Sequence, residues 1–122
     1  MSYVLYLDRY HLGDVLFLQS LARAFGGARG GAPASVVVHG SGEEAERLLE
    51  GEGYFVEREG GVLPVASARE AALVERAVRQ LNRKLVALFT DDVVATVGVI
   101  GTDRGLLQVR PDGAVALHRP DW

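Results

Sequence analysis

The chain has no cysteine among its 122 residues. That absence excludes disulfides, thiolate zinc sites and a cysteine nucleophile together. Lysine occurs once, at Lys84, and asparagine once, at Asn82, against twelve arginines. No glycine loop is followed by a lysine, so there is no P-loop. Scarcity of asparagine and cysteine suits a thermophile, although a GC-rich genome would give the same arginine bias. No apolar run approaches the roughly 20 residues that span a bilayer. No basic region followed by an apolar stretch marks a secretory signal at the N-terminus. A cytoplasmic protein without membrane contact is expected. The net charge of -3 supplies no electrostatic footprint for nucleic acid. The arginine-glycine stretch from Gly26 to Gly31 therefore reads as a connector and not as an RNA-binding tract.

What remains is 48% hydrophobic and 24% charged, enough apolar material for one domain with a core. Tyr3 to Leu7 is an apolar pentamer and reads as a buried strand. Asp8 to His11 follows as a polar turn, and Asp14 suits the N-cap of a helix to Phe25 with Val15, Leu18, Leu21, Ala22 and Phe25 inward. Ala34 to His39 carries three successive valines with no polar alternation. Both faces of that strand are expected to be buried, which means a parallel sheet between helix layers. A helix from about Gly42 to Glu50 should follow, with Ala45, Leu48 and Leu49 inward. Tyr54 to Arg58 and Val62 to Val65 flank a glycine turn and read as a hairpin.

Ser67-Ala68-Arg69-Glu70 is a capping box that opens the longest helix, Ala68 to about Thr90. Ala71, Val74, Val78, Leu81, Leu85 and Leu88 give it an apolar seam, widened by Leu73, Ala77 and Phe89. Val74, Val78, Leu81 and Leu85 are the candidate contact between two copies. Val93 to Ile100 reads as another buried strand, and Leu106 to Arg110 with Ala114 to His118 as a closing hairpin. The order predicts an α/β domain over 1–122, mainly parallel in its sheet, with hairpins at the margins.

The chemistry gathers at Gly40-Ser41-Gly42, between the valine strand and the next helix. The segment to Ala45 matches the dinucleotide pattern G-x-G-x-x-A, with Glu57 near the acidic position. Glu43, Glu44 and Glu46 in the first helical turns would repel a pyrophosphate, and Ser41 with Glu44 fits a capping box without any ligand. His11 and His39, each after a parallel strand, would lie at one sheet edge with Asp8 and Asp103. Two imidazoles and two carboxylates could hold a metal, but they lack a ligand spacing, and polar residues at solvated loop ends are the plainer reading. No serine sits in a nucleophile elbow.

These residues carry a resemblance. Val36-Val37-Val38-His39-Gly40-Ser41-Gly42 is similar to the VVHGGG segment of the amino acid kinase family. Asn82-Arg83-Lys84-Leu85, the strand from Val93 to Gly98, and the turn from Gly101 to Gly105 resemble that family's Asn-Lys-x-Leu helix, V-G strand and glycine-aspartate turn. Residues 3 to 109 most resemble the N-terminal half of its acetylglutamate and aminoadipate kinase branch. The resemblance implies a three-layer α/β/α sandwich in which this half binds the phosphoryl acceptor, while a separate half, lacking here, binds ATP. It also implies dimerisation through the long helix, from Ala71 to Phe89.

The chain departs from the family where phosphate is handled. The family's lysine falls on Tyr6, the two glycines after it on Asp8 and Arg9, and the arginine that grips the acceptor carboxylate on Leu63. A carboxylate repels phosphate and tyrosine supplies no cation. The expectation is a domain without catalytic residues or cofactor. Gly40, Ser41 and Gly42, with Arg9, His11 and Asp103 around them, would hold a small polar metabolite, and the chain would pair with itself or dock on a related kinase. A residual phosphotransferase needing a partner half is the alternative.

Overall fold

A computed structural model of the chain describes residues 3–27, 34–60, 62–92, 94–100, 103, 107–109 and 115–117. Strand β1 (Tyr3–Leu7) lies parallel to β2 (Ser35–His39), in a register that sets Val4 beside Val36 and Tyr6 beside Val38. Between them come a short helix, α1 (Arg9–Leu12), and α2 (Val15–Gly26). Helices α3 (Glu44–Gly51) and α4 (Ala68–Asp91) follow, and β3 (Leu107–Val109) pairs antiparallel with β4 (Val115–Leu117). This is an α/β arrangement, with a two-stranded parallel sheet among the described residues.

The helix starts follow from side-chain oxygens. Asp8 accepts from the His11 N–H at 2.8 Å and opens α1, where a polar turn was expected. Asp14 accepts from the Phe17 N–H at 3.1 Å and opens α2 as its position predicts. Ser67 Oγ accepts from the Glu70 N–H at 3.1 Å, while Glu70 Oε2 accepts from Ser67 Oγ at 2.8 Å and from the Ala66 N–H at 3.2 Å. This capping box explains why a glutamate stands buried at the start of α4. At α3 the expected box does not form. Glu43 holds the cap position without a side-chain bond, and Ser41 contributes its backbone carbonyl to the Glu44 N–H.

The core lies under one face of the parallel pair. Leu7, Leu12, Leu18, Leu81 and Leu85 form its centre, with Phe17, Leu21, Val37 and Leu88 packed around them. Helix α4 turns a stripe of Leu73, Ala77, Leu81, Leu85 and Phe89 inward. The residues expected to widen the seam are thus part of its centre. Val74 and Val78 sit half-buried on its flank, and Ala71 is exposed. Phe89 meets Phe25 edge to face with ring centres 5.8 Å apart. At the same end Gly26 is pressed against the Asp92 carbonyl so closely that a Cβ would collide with it.

Three expectations fail. The valine strand is not buried on both sides: Val4, Tyr6, Val36 and Val38 share one face and are 74%, 73%, 59% and 45% exposed. The alternation comes from the register, because helices cover the Leu5, Leu7 and Val37 side and none of the described helices covers the other. Residues 94–100 form no strand, and they lie along α4 with Val97 exposed and Ile100 buried. The hairpin expected at residues 54–65 shrinks to one antiparallel bridge, Glu59 with Val62, around Gly60.

Candidate functional site

The glycine turn after β2 is built by its neighbours. Gly42 has φ +58°, a left-handed conformation that favours glycine, and a side chain there would meet Leu12 and Leu81. The turn is therefore seated on the core. Gly40 has open space beside it. His39 ends β2 half-buried, its Nδ1 donating to the Gly40 carbonyl at 2.8 Å, which leaves Nε2 to accept from the Asn82 amide at 3.2 Å. Asn82 thus ties the strand end to the middle of α4.

Arg58 governs the turn, and no local signal in the sequence marks it. Its Nη2 donates to Ser41 Oγ at 3.2 Å and to the Gly42 carbonyl at 3.1 Å, while Nε donates to Glu46 Oε1 at 2.5 Å. The two side chains are 24% and 18% exposed. Burial pushes the Glu46 carboxyl up, but the Arg58 hydrogen bond and charge outweigh it and hold the group below its ordinary value. Glu46 Oε2 is buried and makes no hydrogen bond.

Of the residues expected around the turn, Arg9 arrives. It stands 3.7 Å from Glu43 Oε1, and its charge also reaches Glu46. His11 pairs instead with Asp8, its Nδ1 2.7 Å from Oδ1, and its ring meets Phe17 at 4.5 Å. Asp8 is held below the ordinary aspartate range, first by the His11 backbone N–H and then by the imidazole. Asp103 faces α4: one oxygen accepts from the Ile100 N–H at 2.9 Å and the other lies 3.7 Å from Arg79. The four-residue metal arrangement does not assemble, and no cluster of three or more metal-ligating side chains occurs among the described residues. Leu81 and Leu85 belong to the chain's own core, which leaves Val74 and Val78 with surface to offer a second copy.

The positions that handle phosphate in the resemblance are reassigned here. Tyr6 points from the exposed face of the sheet. Asp8 places a carboxylate on the His11 N–H, one of the free N–H groups in the first turn of α1. Glu43, Glu44 and Glu46 surround the turn with negative charge, of which Arg9, Arg47 and Arg58 neutralise part. Such a turn tolerates a cationic or neutral polar group more readily than a phosphate.

A cavity of about 510 Å³ lies elsewhere, on the outer side of α4. Arg79, Asn82, Arg83, Val86 and Asp91 contribute one wall, and Gly98, Ile100 and Asp103 the other. Gly98 is held so close to Asn82 and Val86 that neither leaves room for a Cβ.

Comparison with known proteins agrees with the resemblance. Over 90 residues, 74% of the chain, it is 39% identical to the acetylglutamate kinase of Deinococcus radiodurans. The match spans 34% of that relative, so the chain corresponds to about a third of its length. No family model matches the chain. The chain is thus amino-acid-kinase-like over most of its length.

Proposed function

We propose that this chain is an acceptor-type domain that binds a small polar metabolite at the Gly40–Ser41–Gly42 turn without transferring phosphate to it. Asp8 carries this reading. Where the resemblance calls for a glycine whose backbone approaches a phosphoryl group, the chain places a carboxylate that caps its own helix. Tyr6 in place of the lysine removes the cation that would stabilise the transferring group, and transfer of this kind relies on positioning and charge. The chain corresponds to about a third of an acetylglutamate kinase, which supports a domain smaller than the two-half kinase of the resemblance. The three-layer sandwich of the resemblance belongs to the same proposal, since it needs a further layer on the sheet face that no described helix covers.

The test is a coupled assay for ADP with acetylglutamate and aminoadipate as acceptors. ADP release equal to the acceptor-free control is expected, and release above it overturns the reading. Thermal shift with the same acceptors measures binding alone, because a ligand that prefers the folded state raises Tm.

Assembly is the second reading, favoured by the exposed face of Val4, Tyr6, Val36 and Val38. Apolar patches of this kind mark contact surfaces, and the occupant we assign is a second copy. Light scattering should give twice the chain mass, reduced to a single mass by Tyr6→Ser with Val36→Ser. A monomer at millimolar concentration rejects it.

A further inference from the structure

The outer face of α4 bears two charged side chains that no other described residue engages. Among the described residues, the side chains of Arg83 and Asp91 make no hydrogen bond and no ion pair. The other charges on that cavity are engaged: Arg79 with Glu75 and Asp103, and Asp103 with Arg79 and the Ile100 N–H. Asp91 also stands in the last turn of a 24-residue helix, where a carboxylate opposes the helix dipole and a cation is favoured. Arg83 and Asp91 are eight residues apart on α4, or about 12 Å along its axis. Val86 and Ala87 lie between them on the helix and give the cavity an apolar floor.

An unpaired cation at one end, an apolar middle and an unpaired carboxylate at the other end form a complementary template. We propose that this cavity binds an extended zwitterion: a small molecule with a carboxylate and an ammonium group separated by an aliphatic chain. The carboxylate goes to the Arg83 guanidinium, the ammonium to Asp91 at the negative end of α4, and the methylenes lie on Val86 and Ala87. The cavity volume falls in the range of small-molecule sites, roughly 300–1,000 Å³. Both charged groups are solvent-exposed, so each ion pair adds little, and a Kd on the order of 1 mM is expected. The site uses no residue of the glycine turn and stands or falls apart from the function proposed there.

The experiment is an NMR titration of the full chain with ε-aminocaproate, with caproate and hexylamine as half-ligands. Saturable shifts centred on Val86, Ala87 and Gly98 are expected, with the zwitterion about threefold to fivefold tighter than either half-ligand. Arg83→Ala and Asp91→Asn should each reduce it to half-ligand affinity. The charge-swapped pair Arg83→Asp with Asp91→Arg should recover binding in the reversed orientation; these exposed positions leave the core intact. The proposal is overturned if half-ligands bind as tightly as the zwitterion, if shifts centre on residues 39–46, or if nothing saturates at tens of millimolar.

Discussion

Replacing Arg58 by alanine should destabilise the domain by about 2–3 kcal/mol, with part of that loss disappearing in mild acid. The side chain joins the loop before α4 to the glycine turn and to α3 through Ser41, Gly42 and Glu46. A hydrogen bond to a charged partner contributes about 1.5–3 kcal/mol and a neutral one about 0.5–1.5. The pair is about four-fifths buried, so water compensates only partly when the guanidinium is removed. What is left behind decides the size: a carboxylate with one oxygen already buried and unbonded then loses its bonded counter-charge and keeps only the more distant charge of Arg9.

The pH dependence identifies the mechanism. In the native chain Glu46 titrates below its ordinary value of 4.5, so its contribution is complete above that value and is lost as pH falls through the lowered one. Without Arg58, the burial that raises the carboxyl is no longer offset by the guanidinium, so protonation in mild acid relieves the stranded charge. Urea unfolding at pH 7.5 and pH 5 should show the difference between variant and native chain shrinking by at least about 1 kcal/mol. Glu46→Gln should lose less, about 1 kcal/mol, with little change between the two pH values. A double-mutant coupling below about 0.5 kcal/mol, or a loss that does not depend on pH, refutes the reasoning.

Gly98→Ala should cost about 1–3 kcal/mol, since its Cβ would collide with Asn82 and lie 2.8 Å from Val86 Cγ2; hydrogen exchange should show residues 94–100 losing protection before α4 does. Leu81→Ala removes a side chain from the centre of the core and should cost about 2–5 kcal/mol in urea unfolding. Val74→Ala, half-buried on the flank of the same helix, should cost about 1 kcal/mol or less. Ser67→Ala removes the N-cap of α4 and loosens Glu70 with it, an expected loss of about 1 kcal/mol visible as a lower Tm.

Elements whose signal is local could be read from the sequence. Asp14 and Ser67 cap the helices they were expected to cap, and the Tyr3–Leu7 and Ser35–His39 strands pair in parallel. The phase of α4 was harder, because apolar residues cover more than half of its circumference and offer two adjacent seams. Packing selects between them: Ala77, fully buried, belongs to the stripe turned inward toward α3, and Val74 and Val78 are left at the flank. Residues 94–100 carry strong β propensity, yet a strand needs a partner edge, and this segment lies instead along α4 through Gly98. The three valines of β2 misled for a related reason. An unalternating apolar run reports what could be buried, and only the layers available decide whether both faces are.

At the turn, the sequence exposes what is missing and conceals what replaces it. Tyr6, Asp8 and Leu63 are single substitutions at positions a resemblance can align, so the loss of a phosphate cradle is visible residue by residue. Arg58 is 16 residues from Gly42 and 12 from Glu46, and neither periodicity nor spacing connects them. Only the fold brings a guanidinium onto the carbonyl of the turn. The consequence bears on chemistry as well as stability. A loop that handles phosphate must keep donors free and pointed at the ligand. Here Asp8 takes the His11 N–H, Arg58 joins the turn's own oxygens to Glu46, and three glutamates surround what remains. A turn so occupied can hold its shape without a ligand, and whatever binds there must be recognised by groups other than those an anion would require.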